Sequence, residues 1–417
     1  MRLAAATART MPAARPGRLP SLDLRLRLMW LALCTAPVVY IEPSPYDVLI
    51  AGLSVGFFIL GMRIPERLGP PLGLLALFLV GTAVAVVLSP NPEFTGPYFG
   101  IKIYLAMSFV FFAALVYENP ERVLPVLWSA WSIAAAIAVL LAIAGYYGLW
   151  PSMRDELLAA GRAKGLFKDP NVYGPFVIPV AVYVLSRLDS GSFMLKTAFL
   201  GFLSFGILLS FSRGAWFNFG VTLVVFMALR LATYRSADRM IRMLLVTALV
   251  GLMMAAGFLY AISTPEIAGL FAERAKVVQY YDVGQGGRFF TQRLALDRIL
   301  ADPIGIGPGN SFRVFGLEPH NHYLHVPVEC GWLAAIAYFS FVGLTAWRGL
   351  QTCLAKSPVQ GAQIVAFASV VGTLAESFII DSDHWRHVFV LYAIVWGTAL
   401  WVQGTPTAVR GRQSGSH

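Results

Sequence analysis

Long apolar runs dominate this chain and restrict the folds that are open to it. We count about twelve runs that are long enough, or nearly long enough, to cross a lipid bilayer. Several are continuous rather than alternating, which argues against an outer-membrane β-barrel. Pro37 interrupts the first run, which is also short, so that span is the weakest. The runs centre on residues 27–41, 46–62, 70–89, 100–117, 123–148, 171–188, 193–211, 214–232, 241–262, 323–347, 360–380 and 385–403.

The composition leads to the same class of protein. Hydrophobic residues make up 57% of the 417 residues and charged residues only 13%, proportions that a soluble domain of this size does not have. We therefore predict an all-α, polytopic integral membrane protein of about 12 transmembrane helices. The stretch 263–322 would form one large loop between spans 9 and 10.

The net charge of +10 is distributed as in a membrane protein rather than a nucleic-acid-binding protein. If the N-terminus lies in the cytoplasm, both tails and the basic cluster within 230–242 are cytoplasmic, as the positive-inside rule requires. The sorting is a bias, since Arg162, Lys164 and Lys168 fall outside. The pattern predicts no nucleic-acid partner. It predicts a cytoplasmic tail at 1–26, a transmembrane domain at 27–403 and a second cytoplasmic tail at 404–417.

The same topology places most of the chemically interesting polar residues on one, non-cytoplasmic side. They lie in or beside the loops 149–170, 212–213, 263–322 and 381–384. A single extracytoplasmic site would explain this distribution, since loops held by a rigid scaffold commonly carry function. The residues are Asp169, Asn171, Arg213, Arg288, His320, His322, Asp381, Asp383, His384 and Arg386.

Two arginines in these loops suit an anionic ligand. Arg213 lies between two apolar runs among the small residues of Ser212-Arg213-Gly214-Ala215, and its planar fork could bind a phosphate or diphosphate. The alternative is that it only reaches lipid headgroups from the end of a span. Arg288 follows Gly286-Gly287 and opens an amphipathic pattern over 289–300. That pattern predicts a helix at the membrane surface, with Arg288 at its positive end.

The other features of the large loop have simpler interpretations. The run Gly305–Gly309 lacks the Lys-Ser/Thr ending of a phosphate-binding P-loop, so it predicts a plain turn. His320 and His322 are two residues apart, which could suggest a metal site. That spacing suits a strand rather than a helix, and the sequence offers no obvious third ligand. We therefore predict no metal.

Taken together, these motifs resemble those of the O-antigen ligase/O-antigen polymerase superfamily. The matching segments are Gly165–Gly174 with its Asp169-Pro170-Asn171, Ser212–Trp216, Gly287-Arg288 with Pro303–Gly307, and His320–Leu324 with Glu329–Gly331. Each motif alone is weak, but the four occur in order, and the resemblance extends over roughly residues 70–400.

The resemblance implies an inverting, metal-independent glycosyltransferase of the membrane-embedded C type in the bacterial inner membrane, with no cofactor. Such enzymes transfer a glycan from undecaprenyl diphosphate, on the periplasmic face, to a hydroxyl of an acceptor sugar. The acceptor is the lipid A core in ligases, the type we favour, and a second lipid-linked glycan in O-antigen or exopolysaccharide polymerases.

The resemblance also assigns roles to individual residues. Arg213 and Arg288 would hold the diphosphate, and His320 would be the base or would orient the acceptor hydroxyl. A second set is implied to contact substrate with roles that are less defined, and His322 stands where the family often has a small polar residue. This set is Asp169, Asn171, Asn321, His322 and Arg386.

Two other classes of function remain open from the sequence. A secondary transporter would also have about twelve spans, but its ionisable residues would lie near the middle of the membrane rather than in loops. A scaffold protein without catalysis would leave the clustered polar loops unexplained.

Overall fold

The computed structural model describes residues 19–233, 237–262, 284 and 286–404, and the fold within them is α-helical apart from one short hairpin. The first part of the large loop, 263–283, lies outside the described residues. So do most of the N-terminal tail and nearly all of the C-terminal tail. The helices are α1 (Leu22–Cys34), α2 (Pro45–Ile59), α3 (Gly69–Val87), α4 (Pro92–Glu118), α5 (Pro120–Tyr146), α6 (Arg154–Leu157), α7 (Pro170–Ser186), α8 (Phe193–Leu209), α9 (Arg213–Thr233), α10 (Ala237–Ile262), α11 (Arg288–Ala301), α12 (Ser311–Phe315), α13 (His322–Leu354), α14 (Gln360–Glu376) and α15 (Arg386–Gly404). The hairpin pairs β1 (Leu158–Ala159) with β2 (Arg162–Ala163), and the 3₁₀ turns are Glu66–Leu68 and Pro151–Met153.

Each of the twelve apolar runs coincides with one of these helices, although the ends differ. Within the described residues, six helices are long and apolar enough to cross a membrane by length and composition. They begin at Glu66 (the 3₁₀ turn that continues into α3), Pro92, Pro120, Arg213, His322 and Arg386. The shorter apolar helices include α2, α7 and α8. The all-α membrane class is thus confirmed, whereas the number of twelve spans stays a prediction.

Helix α1 begins and ends earlier in the chain than the first predicted run. It begins at Leu22, inside the predicted tail 1–26, because Ser21 caps it by accepting a hydrogen bond from the Leu24 amide (3.4 Å). It ends at Cys34, so the part of the run up to residue 41, which contains Pro37, is not helical.

The most extensive helix contacts join α4 with α15, α3 with α13 and α9 with α14. Phe109, Phe341 and Tyr392 link α4, α13 and α15 through edge-to-face contacts, with ring centroids 5.2 and 5.4 Å apart. This aromatic core fixes the position of α13 and α15, whose N-terminal ends carry most of the histidines discussed below.

Helix α13 is broken near its start. At 33 residues it would be roughly 50 Å long, but Gly331 has φ 79° and ψ 175°, which are not helical. The glycine-rich turn fills the break: the amides of Ile306 and Gly307 donate to the carbonyls of Val328 and Glu329 (both 2.9 Å), and the Trp332 amide donates to Pro303 (2.9 Å). The backbone groups released by the break are therefore paired inside the protein, as a helix in a membrane requires.

The turn itself is held by the side chain of Glu329. Its two carboxylate oxygens accept hydrogen bonds from the amides of Gly309 (2.8 Å) and Ser311 (3.2 Å) and from the Ser311 hydroxyl (2.7 Å). Gly305 is required here, because its φ is 90° and a Cβ would stand 2.5 Å from the Gly331 amide nitrogen. The prediction of a turn at Gly305–Gly309 is confirmed.

Candidate active site

The Asp169-Pro170-Asn171 motif forms the start of α7 and binds it to the next loop. The Asp169 carboxylate caps the helix by accepting from the Asn171 amide (2.7 Å). The Asn171 side-chain oxygen accepts from Arg162 Nη2 and from the Ser212 hydroxyl, both at 2.7 Å. These contacts connect the hairpin, α7 and the junction that carries Arg213, so this oxygen already has two protein partners.

Arg213 is the first residue of α9, where the N-terminal end of the helix dipole favours an anion. Phe211, two residues before Arg213, has a left-handed backbone with φ 46°. Residues with bulky side chains rarely adopt this conformation. Ser212 caps the helix through the Ala215 amide (3.2 Å). A Cβ at Gly214 would lie 2.7 Å from the carboxylate of Glu376, so α14 approaches the junction closely.

Arg288 occupies the same position in α11 that Arg213 occupies in α9. Gly287 is the N-cap residue, so this helix has no side-chain cap, and the Arg288 guanidinium lies over the Phe289 ring, 5.8 Å from its centroid. Leu296 and Leu300 are exposed on the same helix, which agrees with the predicted amphipathic pattern at a membrane surface.

His320 interacts electrostatically with residues of two other motifs, Asp169 and Arg288. Its φ of 47° is left-handed, and such conformations in residues other than glycine are concentrated at functional sites. Its Nδ1 lies 4.0 Å from Asp381 Oδ2. Burial lowers the pKa of His320, and the Arg288 charge lowers it further, while the Asp381 and Asp169 carboxylates oppose this shift. The predicted residues Asp169, Arg288 and His320 are therefore electrostatic neighbours.

The two residues after His320 have contacts within the protein. The Asn321 side-chain oxygen caps α13 by accepting from the Tyr323 amide (3.0 Å). The His322 side chain is buried, and its ring packs against the rings of Tyr323, Tyr338 and Phe339 at centroid distances of 5.3–5.8 Å. The structure therefore separates the two neighbouring histidines, one half-exposed and one within an aromatic cluster.

His325, which sequence reasoning did not select, lies at the centre of a buried group of acids. Its Nε2 is 3.2 Å from Glu329 and 3.9 Å from Asp383, and its Nδ1 is 3.6 Å from Glu318 and 3.8 Å from Asp381. The i,i+4 spacing of His325 and Glu329 was a sequence signal for part of this cluster. Asp381 lies near both His325 and His320, so the cluster continues into the candidate site.

Lys102 from α4 completes this buried network by pairing with Asp383. Burial alone would raise the pKa of Asp383, but the Lys102 ammonium, His384 and His325 together outweigh burial and hold that pKa well below its ordinary value. Burial also raises the pKa of Glu318, to about 7; the charges of Glu329 and Asp381 add to this, and His325 opposes it.

Glu318, His325 and Glu329 place three possible ligand atoms within 4.8 Å of one another, a distance that a metal ion could bridge. Both Glu329 oxygens, however, already accept hydrogen bonds from the glycine-rich turn. A cation would have to displace these bonds, so we interpret the group as a structural network. The expectation that no metal takes part in the reaction stays a prediction.

Arg386 is committed to an ion pair. Its Nε and Nη2 donate to the two carboxylate oxygens of Asp47, both at 2.6 Å, and Glu42 lies 4.0 Å away. This bidentate geometry joins α15 to α2. The predicted substrate contact of Arg386 would have to compete with Asp47.

A comparison with protein families adds independent information. Residues 198–339, which extend from α8 into α13, match the family model described as O-Antigen ligase. Arg213, Arg288 and His320 lie within the match, whereas Asp169, Asn171 and Arg386 lie outside it. A comparison with curated proteins found no significant match. The family match agrees with the motifs that lie within it, and this segment of the chain is similar to the O-antigen ligase family.

Proposed function

We propose that the protein transfers a glycan from undecaprenyl diphosphate to a hydroxyl of an acceptor sugar, at the periplasmic face of the bacterial inner membrane. We favour the O-antigen ligase type, with the lipid A core as acceptor. A polymerase would use the same donor and the same residues with a second lipid-linked glycan as acceptor. Lipids of the surrounding membrane would be its other partners.

The observation that carries this proposal is the environment of His320. The ring is half-exposed, it is held on a left-handed backbone, and it has the Asp381 carboxylate on one side and Arg288 among its electrostatic neighbours. The electrostatic interaction of His320 with Arg288 supports a site in which a base and a cationic anion-binding group act together, as transfer from a diphosphate requires.

His320 suits the role of general base because burial lowers its pKa and keeps the imidazole neutral at neutral pH. With Nδ1 protonated and turned toward Asp381, the lone pair is on Nε2. That nitrogen would accept the proton of the acceptor hydroxyl as the sugar oxygen attacks. The Asp381 carboxylate would stabilise the imidazolium that forms.

The arginines would act on the leaving group. As the new bond forms between the acceptor oxygen and the anomeric carbon, the bond from that carbon to the diphosphate oxygen breaks. Arg213 and Arg288 would hold the undecaprenyl diphosphate that leaves, whose charge grows in the transition state. Attack opposite the diphosphate would invert the anomeric centre. Two guanidinium groups can supply this stabilisation without a metal.

Asp169, Asn171, Asn321 and His322 would support the site rather than react. Asp169 and Asn321 cap the helices α7 and α13, and Asn171 binds the loop before α9. His322 would position His320 through its packed aromatic surroundings.

Transfer by the purified protein from a defined lipid-linked donor, with donor binding measured separately, tests the proposal. His320→Ala should eliminate transfer while donor binding persists, because the arginines remain. His322→Ala should reduce transfer on the order of tenfold, as expected for lost positioning. Lipid A core and a second lipid-linked glycan, offered separately as acceptors, distinguish ligase from polymerase.

The two neighbouring histidines serve as controls for each other. If His322→Ala abolishes transfer and His320→Ala does not, the assignment is reversed. If both variants transfer at the wild-type rate, the catalytic centre lies elsewhere. Wild-type protein that transfers to neither acceptor would refute the proposed function.

A further inference from the structure

Asp381 is a buried carboxylate that two imidazoles approach. Its Oδ2 lies 4.0 Å from His320 Nδ1 and 3.8 Å from His325 Nδ1. The residue is 6% exposed, and among the described residues its other oxygen, Oδ1, has no hydrogen-bond partner. A buried carboxylate is costly unless a cation is near it. In the described part of the chain, these two imidazoles are the only basic side chains within 4 Å of Asp381.

His320 cannot be that cation in the resting enzyme, because the proposed general base has to be neutral before it accepts a proton. Burial lowers its pKa, and the charges of Arg288 and His325 add to this. The carboxylates of Asp381 and Asp169 act against the shift. The remaining candidate for the cation is His325. This step rests on the proposed function, since it takes His320 to be the base.

The surroundings of His325 fit an imidazolium. Carboxylate oxygens face both ring nitrogens: Glu329 and Asp383 lie 3.2 and 3.9 Å from Nε2, and Glu318 lies 3.6 Å from Nδ1 on the same side as Asp381. An ionised carboxylate can only accept hydrogen bonds, and only the imidazolium carries a proton on each ring nitrogen. The geometry therefore favours a positive charge on this buried ring.

The other carboxylates around His325 depend on it less than Asp381 does. Both Glu329 oxygens accept hydrogen bonds from the glycine-rich turn, and Asp383 pairs with Lys102. The Glu318 side chain is 31% exposed, so water solvates it in part. Asp381 has neither a second cation nor comparable access to water.

We propose that His325 is a positioning residue which, as a buried imidazolium, holds Asp381 and partly neutralises it beside His320. Asp381 can then orient the His320 ring and stabilise the imidazolium that forms there during transfer. Because its charge is shared with His325, Asp381 attracts a proton to His320 less strongly in the resting enzyme. His320 therefore stays neutral and able to accept the proton of the acceptor hydroxyl.

His325→Gln removes the charge and keeps a polar side chain. The two Nδ1 atoms are at most about 8 Å apart, because both lie near the same Asp381 oxygen. Loss of a positive charge at that distance favours protonation of His320 and should raise its pKa by roughly 0.4 to 1.5 units. Glu318 should not offset this loss, since its pKa of about 7 leaves it largely protonated where His320 titrates.

The pKa of His320 can be measured without a transfer assay. Purified protein with ¹⁵N-labelled histidine, in nanodiscs, gives ring-nitrogen NMR signals that can be followed against pH, and the His320→Ala variant identifies the His320 signals. His384→Gln, at the exposed histidine beside Asp383, is the matched control and should leave the His320 pKa unchanged. His325→Lys keeps the charge and should remove at least half of the shift seen in His325→Gln.

An unchanged or lower His320 pKa in His325→Gln would overturn the inference, and so would equal shifts in His325→Gln and His325→Lys. If His325→Gln does not fold, the wild-type spectrum decides. The inference requires both ring nitrogens of His325 to be protonated at pH 7, and an unprotonated Nδ1 would overturn it.

The pH profile for transfer gives the second measurement. In His325→Gln the loss of kcat/KM at low pH should begin at a higher pH than in the wild type, whereas lost packing alone would lower activity at every pH without this shift. A limb that stays in place while the His320 pKa rises would overturn the role in transfer. The NMR shift in a wild-type background that transfers no glycan would support the sharing of Asp381 and refute the proposed transfer function.

Discussion

Replacing Asp381 with Asn should move the acid limb of the pH profile for transfer to lower pH. The proposed general base, His320, would be active only when neutral, so activity should be lost as the pH falls through its pKa. The Asp381 carboxylate favours the imidazolium and thereby raises that pKa. Without this charge the imidazole stays neutral to a lower pH. The other electrostatic neighbours of His320, which are Arg288, Asp169 and His325, are unchanged.

The size of the shift follows from the geometry. The Asp381 oxygen lies 4.0 Å from His320 Nδ1. Two unit charges at that distance interact by roughly 1 kcal/mol in water and about 4 kcal/mol at an effective dielectric constant of 20. The His320 side chain is 41% exposed, which places the interaction near the lower end. A value of about 1.4 kcal/mol corresponds to a shift of about one pKa unit.

The assay is kcat/KM for transfer between about pH 4.5 and 8.5, since this ratio reports the ionisation of the free enzyme. The limb should move down by about one unit. Transfer on the plateau should fall roughly three- to tenfold, because the imidazole becomes a weaker base. Donor binding should be unchanged, which shows that the protein is intact.

Glu318→Gln is the control for the limb itself, because burial raises the pKa of Glu318 to about 7 and it could titrate in the same range. If His320 is the base, Glu318→Gln retains the acid limb. If the acid limb disappears in Glu318→Gln, the ionisation that produces this limb belongs to Glu318. A limb that stays in place or moves to higher pH in Asp381→Asn would refute the proposed electrostatic coupling to His320.

Three further predictions follow from the described contacts and the predicted topology. Arg213→Ala and Arg288→Ala should each abolish transfer in a folded, inserted protein, and a lysine at either position should restore little because a point charge does not replace a bidentate fork. Near-normal transfer in Arg213→Ala would mean that the Arg213 side chain only reaches lipid headgroups. Strong inhibition of transfer by EDTA would refute a metal-independent reaction. Lys102→Met should lower the free energy of unfolding by about 3–5 kcal/mol, because it leaves a buried carboxylate without its cation; thermal unfolding in detergent measures this, and an unchanged midpoint would contradict it. Alkaline phosphatase fused after Gly284 should be active and a fusion within the 230–242 loop inactive; the opposite result would invert the topology.

The helices were largely predictable from sequence because each apolar run is long and bounded by proline, glycine or capping residues. Pro45, Pro92, Pro120 and Pro170 each open a helix, where a missing amide hydrogen costs nothing. The break at Gly331 was not predictable, since a glycine within an apolar run is usually tolerated in a helix. Its left-handed backbone depends on the docked turn, a contact between segments far apart in the chain.

Candidate residues in the sequence motifs were identifiable, but their partners were not. Asp169, Arg288 and His320 were selected from the sequence and are electrostatic neighbours in the structure. The pairing of Lys102 with Asp383 joins residues from distant helices, and no local pattern encodes it. Arg386 shows the reverse case: its motif suggested a substrate contact, whereas the fold gives it Asp47 as a bidentate partner.

The way in which the glycine-rich turn fills the break in α13 has a consequence for motion at the site. Amides in surface loops usually exchange with solvent within seconds, but those of Ile306 and Gly307 are bonded to carbonyls of the broken helix and should exchange as slowly as core helix amides. The C-terminal end of the large loop should therefore be a rigid part of the site. If the proposed glycan transfer holds, conformational adjustment to a long glycan would come from segments other than the glycine-rich turn and the start of α13.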